Sequence, residues 1–191
     1  MIDPINLALI YGSTREGRFC DVVASWAGAE IGRNADFSWG SVDPATLDLP
    51  SRHGQINAAL RMLEQRLAEA DAFVVVTPEY NHGYPAALKF LIDSFKAPWR
   101  AKPVAFVSYG GISGGLRAVE QLRLVFAELH AVGIRDSVSF ANARARFDGK
   151  GHLLDPDAPR QAMATMLQQL RWWALALRTA REAGPYGEVA A

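Results

Sequence analysis

Short apolar runs alternate with amphipathic segments along the whole chain, and this alternation constrains the fold most strongly. The first run, residues 7–11, is continuously apolar and ends at Gly12 and Ser13, as is typical of a strand buried on both faces of a parallel sheet. Between the runs, apolar residues recur three and four positions apart, which predicts helices. The predicted strands are 7–11, 37–42, 72–77, 103–108 and 136–140, and the predicted helices contain the apolar stripes at 19–27, 56–67, 88–95, 118–129 and 163–177.

Strand and helix alternate five times without a long linker, which predicts one α/β domain with right-handed crossovers over residues 1–184. Residues 185–191 are expected to be a frayed tail. Five strands favour a doubly wound parallel sheet with the flavodoxin-like order 2-1-3-4-5. Ligands bind such sheets where the strand order reverses, beside the loops that follow the first and third strands. A ligand site is therefore expected near residues 12–18 and 78–83.

The charge balance and the cysteine content narrow the classes of partner. Twenty Lys and Arg residues offset twenty Asp and Glu residues, so nucleic acid is not an expected partner. Cys20 is the single cysteine and cannot form an intramolecular disulfide, which favours a reducing compartment. The longest apolar stretches have five or six residues, whereas a membrane span needs roughly 20. We expect a soluble, cytoplasmic protein.

The first loop, residues 12–18, lies between a buried strand and a helix. A helix N-terminus attracts anions, and Ser13, Arg15 and Arg18 add a hydroxyl group and positive charge, so a phosphate group would fit here. The loop is not a nucleotide triphosphate motif, because Arg18 stands where that motif has lysine, and Thr14 occupies the second glycine position of the dinucleotide motif. The alternative is a polar turn whose arginines are only solvated.

The second loop, residues 77–85, has two prolines, one glycine and two tyrosines. This composition predicts a rigid turn with a flat apolar surface, which suits an aromatic ring better than a sugar or a metal ion. No His, Cys or carboxylate lies three or four residues after His82, so no metal site is expected.

The third loop, residues 108–115, contains four glycines that allow the backbone to approach a planar ligand and to present N–H groups. Its G-x-S-x-G pattern also matches the nucleophile turn of serine hydrolases. That alternative needs Ser113 as nucleophile, His152 as base and Asp136 or Asp148 as acid. The chain is short for that fold, and the hydrolase would leave the first two loops without a role.

Gly12-Ser13-Thr14-Arg15, Pro78-Glu79-Tyr80-Asn81 and Ser108 with the following glycines together resemble the NADPH-dependent FMN reductase family over residues 7–132. The resemblance implies noncovalent FMN and hydride transfer from NADPH or NADH to quinones, flavins, azo compounds or oxidised metal anions. It also implies a homodimer or a dimer of dimers. It assigns Ser13, Arg15, Arg18, Phe19 and Cys20 to the FMN phosphate, Pro78, Glu79, Tyr80, Asn81 and His82 to the isoalloxazine ring, and Ser108, Gly110 and Gly111 to its pyrimidine side.

The flavin itself would accept and donate hydride, so no catalytic side chain is required and ping-pong kinetics are expected. Three other hypotheses about the function remain open: an electron-carrier flavodoxin without NAD(P)H activity, the serine hydrolase, and a binding module that never holds FMN. Trp99, Tyr84 and Tyr109 are candidates for an interface, for the core or for stacking on the flavin ring.

Overall fold

The computed structural model describes residues 3–184 and 186–187. Most of the predicted tail, 185–191, lies outside the described residues. The strands are β1 Ile5–Tyr11, β2 Phe37–Val42, β3 Ala72–Pro78, β4 Pro103–Tyr109 and β5 Val132–Phe140. The helices are α1 Cys20–Gly32, α2 Ala58–Glu69, α3 Ala86–Asp93, α4 Leu116–Glu128 and α5 Asp157–Ala183, and short 3-10 turns occur at Ala97–Trp99 and Ala143–Ala145.

The five strands form one parallel sheet in the order β2-β1-β3-β4-β5, which confirms the predicted fold. Every residue of β3 and β4 is buried, because helices cover both faces of the sheet. Side chains of α1 and α5 pack on one face, and those of α2, α3 and α4 pack on the other. The order reverses at β1 and β3, so their carboxyl ends mark the expected ligand crevice.

The fifth strand begins at Val132, four residues before the predicted start. Its pairing with β4 is irregular: Gly133 lies opposite Val104, whereas Ser137 lies opposite Phe106. The intervening bulge on this edge strand exposes Arg135, and it breaks the apolar alternation on which the prediction depended.

None of the described helices combines the length and the apolar character needed to cross a membrane.

Lys102 is a buried cation at the amino end of β4. Its side chain is 5% exposed, and its ammonium group donates hydrogen bonds to the carbonyl oxygens of Leu67 (2.9 Å) and Ala68 (2.7 Å) in the last turn of α2. Burial, together with the nearby Arg181, lowers the pKa of Lys102 to about 8, although Asp71 opposes this shift.

We predict that Lys102 makes stability depend on pH above neutrality. Because the folded pKa lies below the ordinary 10.5, the unfolded chain binds more protons between these values, and the free energy of unfolding rises with pH in that window. Relative to Lys102→Met, the wild type should gain about 2–3 kcal/mol between pH 7.5 and pH 10.5 in urea unfolding. The control Lys96→Met, at an exposed lysine, retains Lys102, so its stability should rise with pH in parallel with the wild type. Parallel pH curves for wild type and Lys102→Met would contradict the prediction.

Candidate functional site

Four loops meet at the carboxyl edge of the sheet and enclose a cavity of about 540 Å³, within the range of small-molecule sites. Three of them are the predicted first, second and third loops. The fourth loop, residues 141–146 after β5, was not predicted to be part of the site. The residues lining the cavity are Arg15, Glu16, Gly17, Arg18, Phe19, Pro78, Glu79, Tyr80, Tyr109, Gly110, Gly111, Asn142, Ala143 and Arg144.

The first loop leaves β1 in close contact with β3. The Gly12 N–H donates to the Val76 carbonyl oxygen at 2.8 Å, and a Cβ atom at Gly12 would lie 2.6 Å from that oxygen, so only glycine fits without a backbone shift. The loop leads into α1, whose N-terminus has no side-chain cap. The unpaired N–H groups of the first helical turn therefore face the loop and favour an anion there.

Ser13 and Cys20 are buried, and their side chains make hydrogen bonds to other protein groups. Ser13 is fully buried, and its hydroxyl group is hydrogen-bonded to the Tyr80 hydroxyl group at 2.9 Å, which joins the first loop to the second. The Cys20 thiol is also fully buried and donates to the Val76 carbonyl oxygen at 3.8 Å. Burial raises the pKa of Cys20. Cys20 can therefore contribute its backbone N–H at the start of α1, but not an exposed thiolate.

The two arginines of the first loop have different environments. The Arg18 guanidinium donates to both carboxylate oxygens of Asp43, to Asp21 at 2.8 Å and to the Ser13 carbonyl oxygen. The bond to Asp43 is the main reason that the pKa of Arg18 is raised. Arg18 thus has carboxylate partners for its charge, and its predicted phosphate contact stays untested.

Arg15 retains an uncompensated charge. Its guanidinium carbon lies 3.7 Å from the centre of the Tyr80 ring, an arrangement that cation–π attraction stabilises. Within the described part of the chain, no carboxylate lies within ion-pair distance of Arg15. Arg15 is therefore the cation of the first loop that is available to an anionic ligand.

The second loop forms a tight turn at Tyr80–Gly83. The Tyr80 N–H donates to the Gly83 carbonyl oxygen at 2.8 Å and the Gly83 N–H to the Tyr80 oxygen at 3.0 Å, while Asn81 and His82 have φ values of 51° and 68°. These are the features of a type I′ turn. Asn81 and His82 form its tip and do not line the cavity, whereas Pro78, Glu79 and Tyr80 do.

The Glu79 carboxylate ties the second loop to the start of α4. It accepts hydrogen bonds from the Arg117 guanidinium at 2.7 Å and from the Arg117 backbone N–H at 3.1 Å. Desolvation raises the pKa of Glu79, but hydrogen bonds from Arg117 and Ser113 outweigh it, so the pKa lies below its ordinary value. The carboxylate therefore stays ionised and holds the two loops together.

Hydrogen bonds anchor the third loop at Gly114, while its backbone at Gly111 is open. The hydroxyl groups of Ser108 and Ser139 both donate to the Gly114 carbonyl oxygen, at 2.8 and 2.9 Å, so the buried Ser108 anchors the loop and does not line the cavity. Gly110 and Gly111 do line it. A Cβ atom at Gly111 would meet no atom within 4 Å, which leaves room for a flat ligand to approach the backbone.

The serine-hydrolase alternative lacks its geometry. The Ser113 hydroxyl oxygen accepts a hydrogen bond from the Gly115 N–H at 3.4 Å, whereas His152 pairs with Asp148 at 3.2 Å in a separate turn, and Asp136 pairs with its neighbour Arg135. Across residues 3–184 and 186–187, no hydrogen bond joins Ser113 to His152, so the triad is not assembled. The same residues contain no group of three metal-ligating side chains.

For Tyr109 the sequence left ring stacking as one of three alternatives, and it did not indicate the fourth loop of the cavity wall. Tyr109 is 6% exposed, and its hydroxyl group, beside the Cys20 thiol, has no hydrogen-bond partner in the described region. Burial raises its pKa. Asn142, Ala143 and Arg144 belong to the fourth loop. They could have been found by extending the rule for the carboxyl edge from β1, β3 and β4 to β5.

The fold and the cavity define a flavodoxin-like protein with a site for a flat ligand that carries an anionic group. The family model for NADPH-dependent FMN reductase matches residues 5–145. The chain belongs to the NADPH-dependent FMN reductase family.

Similarity to individual known proteins is consistent with this family. The chain is 36% identical over 120 residues to the NAD(P)H-dependent FMN reductase C4B3.06c of Schizosaccharomyces pombe, a match that covers 58% of this chain and 60% of that protein. It is 29% identical to a 2-hydroxy-1,4-benzoquinone reductase of Burkholderia sp, covering 88% of this chain and 96% of that protein. Its fold resembles that of the flavoenzyme NAD(P)H:(acceptor) oxidoreductase FerB of Paracoccus denitrificans, with a TM-score of 0.73, 18% identity and coverage of 90% and 98%.

Proposed function

We propose that the protein is an FMN-dependent oxidoreductase that takes hydride from NADPH or NADH and passes it to quinones or similar small acceptors in a ping-pong cycle. The observation that carries the proposal is the cavity at the strand-order reversal, which combines an uncapped helix N-terminus, a free arginine and an open glycine wall. Bound FMN would supply the hydride chemistry, and the protein would supply placement and electrostatics.

The residues present fit FMN. The backbone N–H groups at the start of α1 and the Arg15 guanidinium would hold the phosphate. Pro78, Glu79 and Tyr80 would support the ring from one loop. Gly110 and Gly111 would approach it from the other with their backbone. In this proposal Ser13, Ser108, Asn81 and His82 act indirectly, by shaping and joining the loops.

The structure also supports proposals on domain organisation, oligomeric state and location. We propose that residues 1–184 act as one domain, since one sheet carries all four loops. Ile112 and Leu116 beside the cavity, and Leu124 further along α4, are large apolar side chains with half or more of their surface exposed, which supports a homodimer or a dimer of dimers. A cytoplasmic location is supported by the single free cysteine.

One experiment separates this function from the electron carrier. The purified protein is incubated with FMN, freed of excess flavin, and then mixed anaerobically with NADPH while the visible spectrum is recorded. We expect a retained flavin band that bleaches within seconds and returns when a quinone is added. Retention without bleaching would favour the electron carrier, and absence of retention would contradict the proposal outright.

We predict that Arg15→Ala weakens FMN binding more than it slows turnover. Loss of a charge-assisted phosphate contact of about 1.5–3 kcal/mol should lower the affinity roughly tenfold to a hundredfold, as measured by quenching of flavin fluorescence. NADPH oxidation at saturating FMN should change little. The matched control is Arg135→Ala, because the Arg135 side chain is 90% exposed and its one ion pair among the described residues is with its neighbour Asp136. Equal FMN affinity of the two variants would remove Arg15 from the phosphate site.

A further inference from the structure

The phosphate end of the cavity has less positive charge from the first loop than its sequence indicates. Arg18 is neutralised by Asp43 and Asp21, so Arg15 is the one cation of that loop available to a ligand. A phosphate monoester near neutral pH carries a charge of about −1.5 to −2. One arginine and the partial charge of a helix N-terminus, equivalent to roughly half a unit charge, compensate this only in part.

Arg144 brings a second positive charge to the same end of the cavity. It lines the cavity, and its guanidinium carbon lies 5.2 Å from the centre of the Phe19 ring. Phe19 immediately precedes the first residue of α1, so this contact places the charge of Arg144 beside the helix N-terminus. Arg15, by contrast, lies on the Tyr80 ring of the second loop, and the two cations therefore approach from different loops.

The backbone around Arg144 is held in place. The Asn142 N–H donates to the Gly111 carbonyl oxygen at 2.8 Å, and the Ala143 N–H donates to the Gly110 oxygen at 3.1 Å. The 3-10 turn that follows spans Ala143–Ala145. The exposed Arg144 side chain has no carboxylate within ion-pair distance among residues 3–184 and 186–187. The backbone that carries Arg144 is thus anchored to the third loop, and the Arg144 charge is uncompensated within this part of the chain, as an anion site requires.

We propose that Arg144 is the second cation of the FMN phosphate site and takes the role that the sequence suggests for Arg18. This inference rests on the proposed function, because it presumes that FMN occupies the cavity. Arg144 then acts in binding, through a charge-assisted hydrogen bond to a phosphate oxygen, and the loop after β5 becomes part of the cofactor site.

The test compares FMN with riboflavin, which has the same ring but no phosphate group. Dissociation constants of both flavins are measured by fluorescence quenching for the wild type, for Arg144→Gln and for the control Arg135→Gln. We expect Arg144→Gln to lose roughly tenfold to a hundredfold in FMN affinity, with riboflavin affinity unchanged. Its FMN affinity should also depend less on salt concentration, because one ionic contact is gone. Arg135→Gln should match the wild type for both flavins.

Three results would overturn the inference. An equal loss for FMN and riboflavin would mean that Arg144 acts by packing on Phe19. Unchanged flavin affinities with a raised KM for NADPH would assign Arg144 to the phosphates of the hydride donor. Unchanged values throughout would leave it as a surface cation. Failure of the proposed function has a different signature, since the wild type itself would then bind no FMN or would bind FMN that NADPH does not reduce.

Discussion

Replacing Gly111 with leucine should remove measurable FMN binding while leaving the protein folded. A Cβ atom at Gly111 meets no protein atom within 4 Å, and the Gly111 backbone is outside the left-handed region, so the protein itself accepts a side chain. Because Gly111 lines the cavity, we expect the leucine side chain to take up space that the flavin needs. We expect an affinity loss of at least about a hundredfold, equivalent to roughly 2.7 kcal/mol, in a fluorescence titration with FMN.

Gly149→Leu is the matched control for this experiment. Gly149 also has open space around its Cβ position and an ordinary φ, but it lies outside the cavity lining. The free energy of unfolding of both variants should lie within about 0.5 kcal/mol of the wild-type value, as is usual for surface substitutions. Only Gly111→Leu should lose FMN binding. If Gly111→Leu bound FMN as tightly as Gly149→Leu, the flavin could not lie against the third loop.

Trp99→Ala should cost about 3–5 kcal/mol of stability, in the range of large aromatic side chains deleted from a core. Trp99 is fully buried, with ring centres 4.8 Å from Phe73 and 5.5 Å from Phe126. Its indole N–H donates to the carbonyl oxygens of Ile92 (3.1 Å) and Phe95 (3.0 Å) at the end of α3. The structure therefore places Trp99 in the core, so the alternative position at an interface is wrong for this residue.

Two further variants separate the contribution of the buried ring from that of the indole N–H donor and provide a surface control. Trp99→Phe keeps an aromatic ring but loses the N–H donor, and we expect about 1–3 kcal/mol of destabilisation. Trp172→Ala, at a side chain that is 63% exposed, should change stability by less than about 0.5 kcal/mol. Urea unfolding is best followed by far-UV circular dichroism, because each variant alters tryptophan fluorescence. A Trp99→Ala protein as stable as Trp172→Ala would contradict the core assignment.

The fold was predictable because its signals are local. The continuous apolar runs of β1, β3 and β4 follow from burial on both faces, and the strand order follows from general rules for parallel sheets. The start of β5 was not predictable, since a bulge on an edge strand interrupts the apolar alternation. The position of the cavity was predictable from the order of the strands alone.

The roles of individual site residues were less predictable, because they depend on partners distant in the chain. Nothing near Arg18 in the sequence indicates that Asp43, 25 residues away, takes up its charge. Ser108 looks like a ligand contact beside a glycine loop, yet its hydroxyl group holds that loop through Gly114. Arg144 follows no motif and becomes relevant only when the fourth loop is seen beside Gly110 and Gly111.

The loops of the cavity are bonded to each other: Ser13 to Tyr80, Glu79 to Arg117, and Ser108 and Ser139 to Gly114. Because these bonds join protein groups to one another, FMN binding would spend little free energy on ordering the chain. Cofactor loss would then leave a folded apoprotein. On the proposed function, adding flavin to this apoprotein should restore activity without a refolding step.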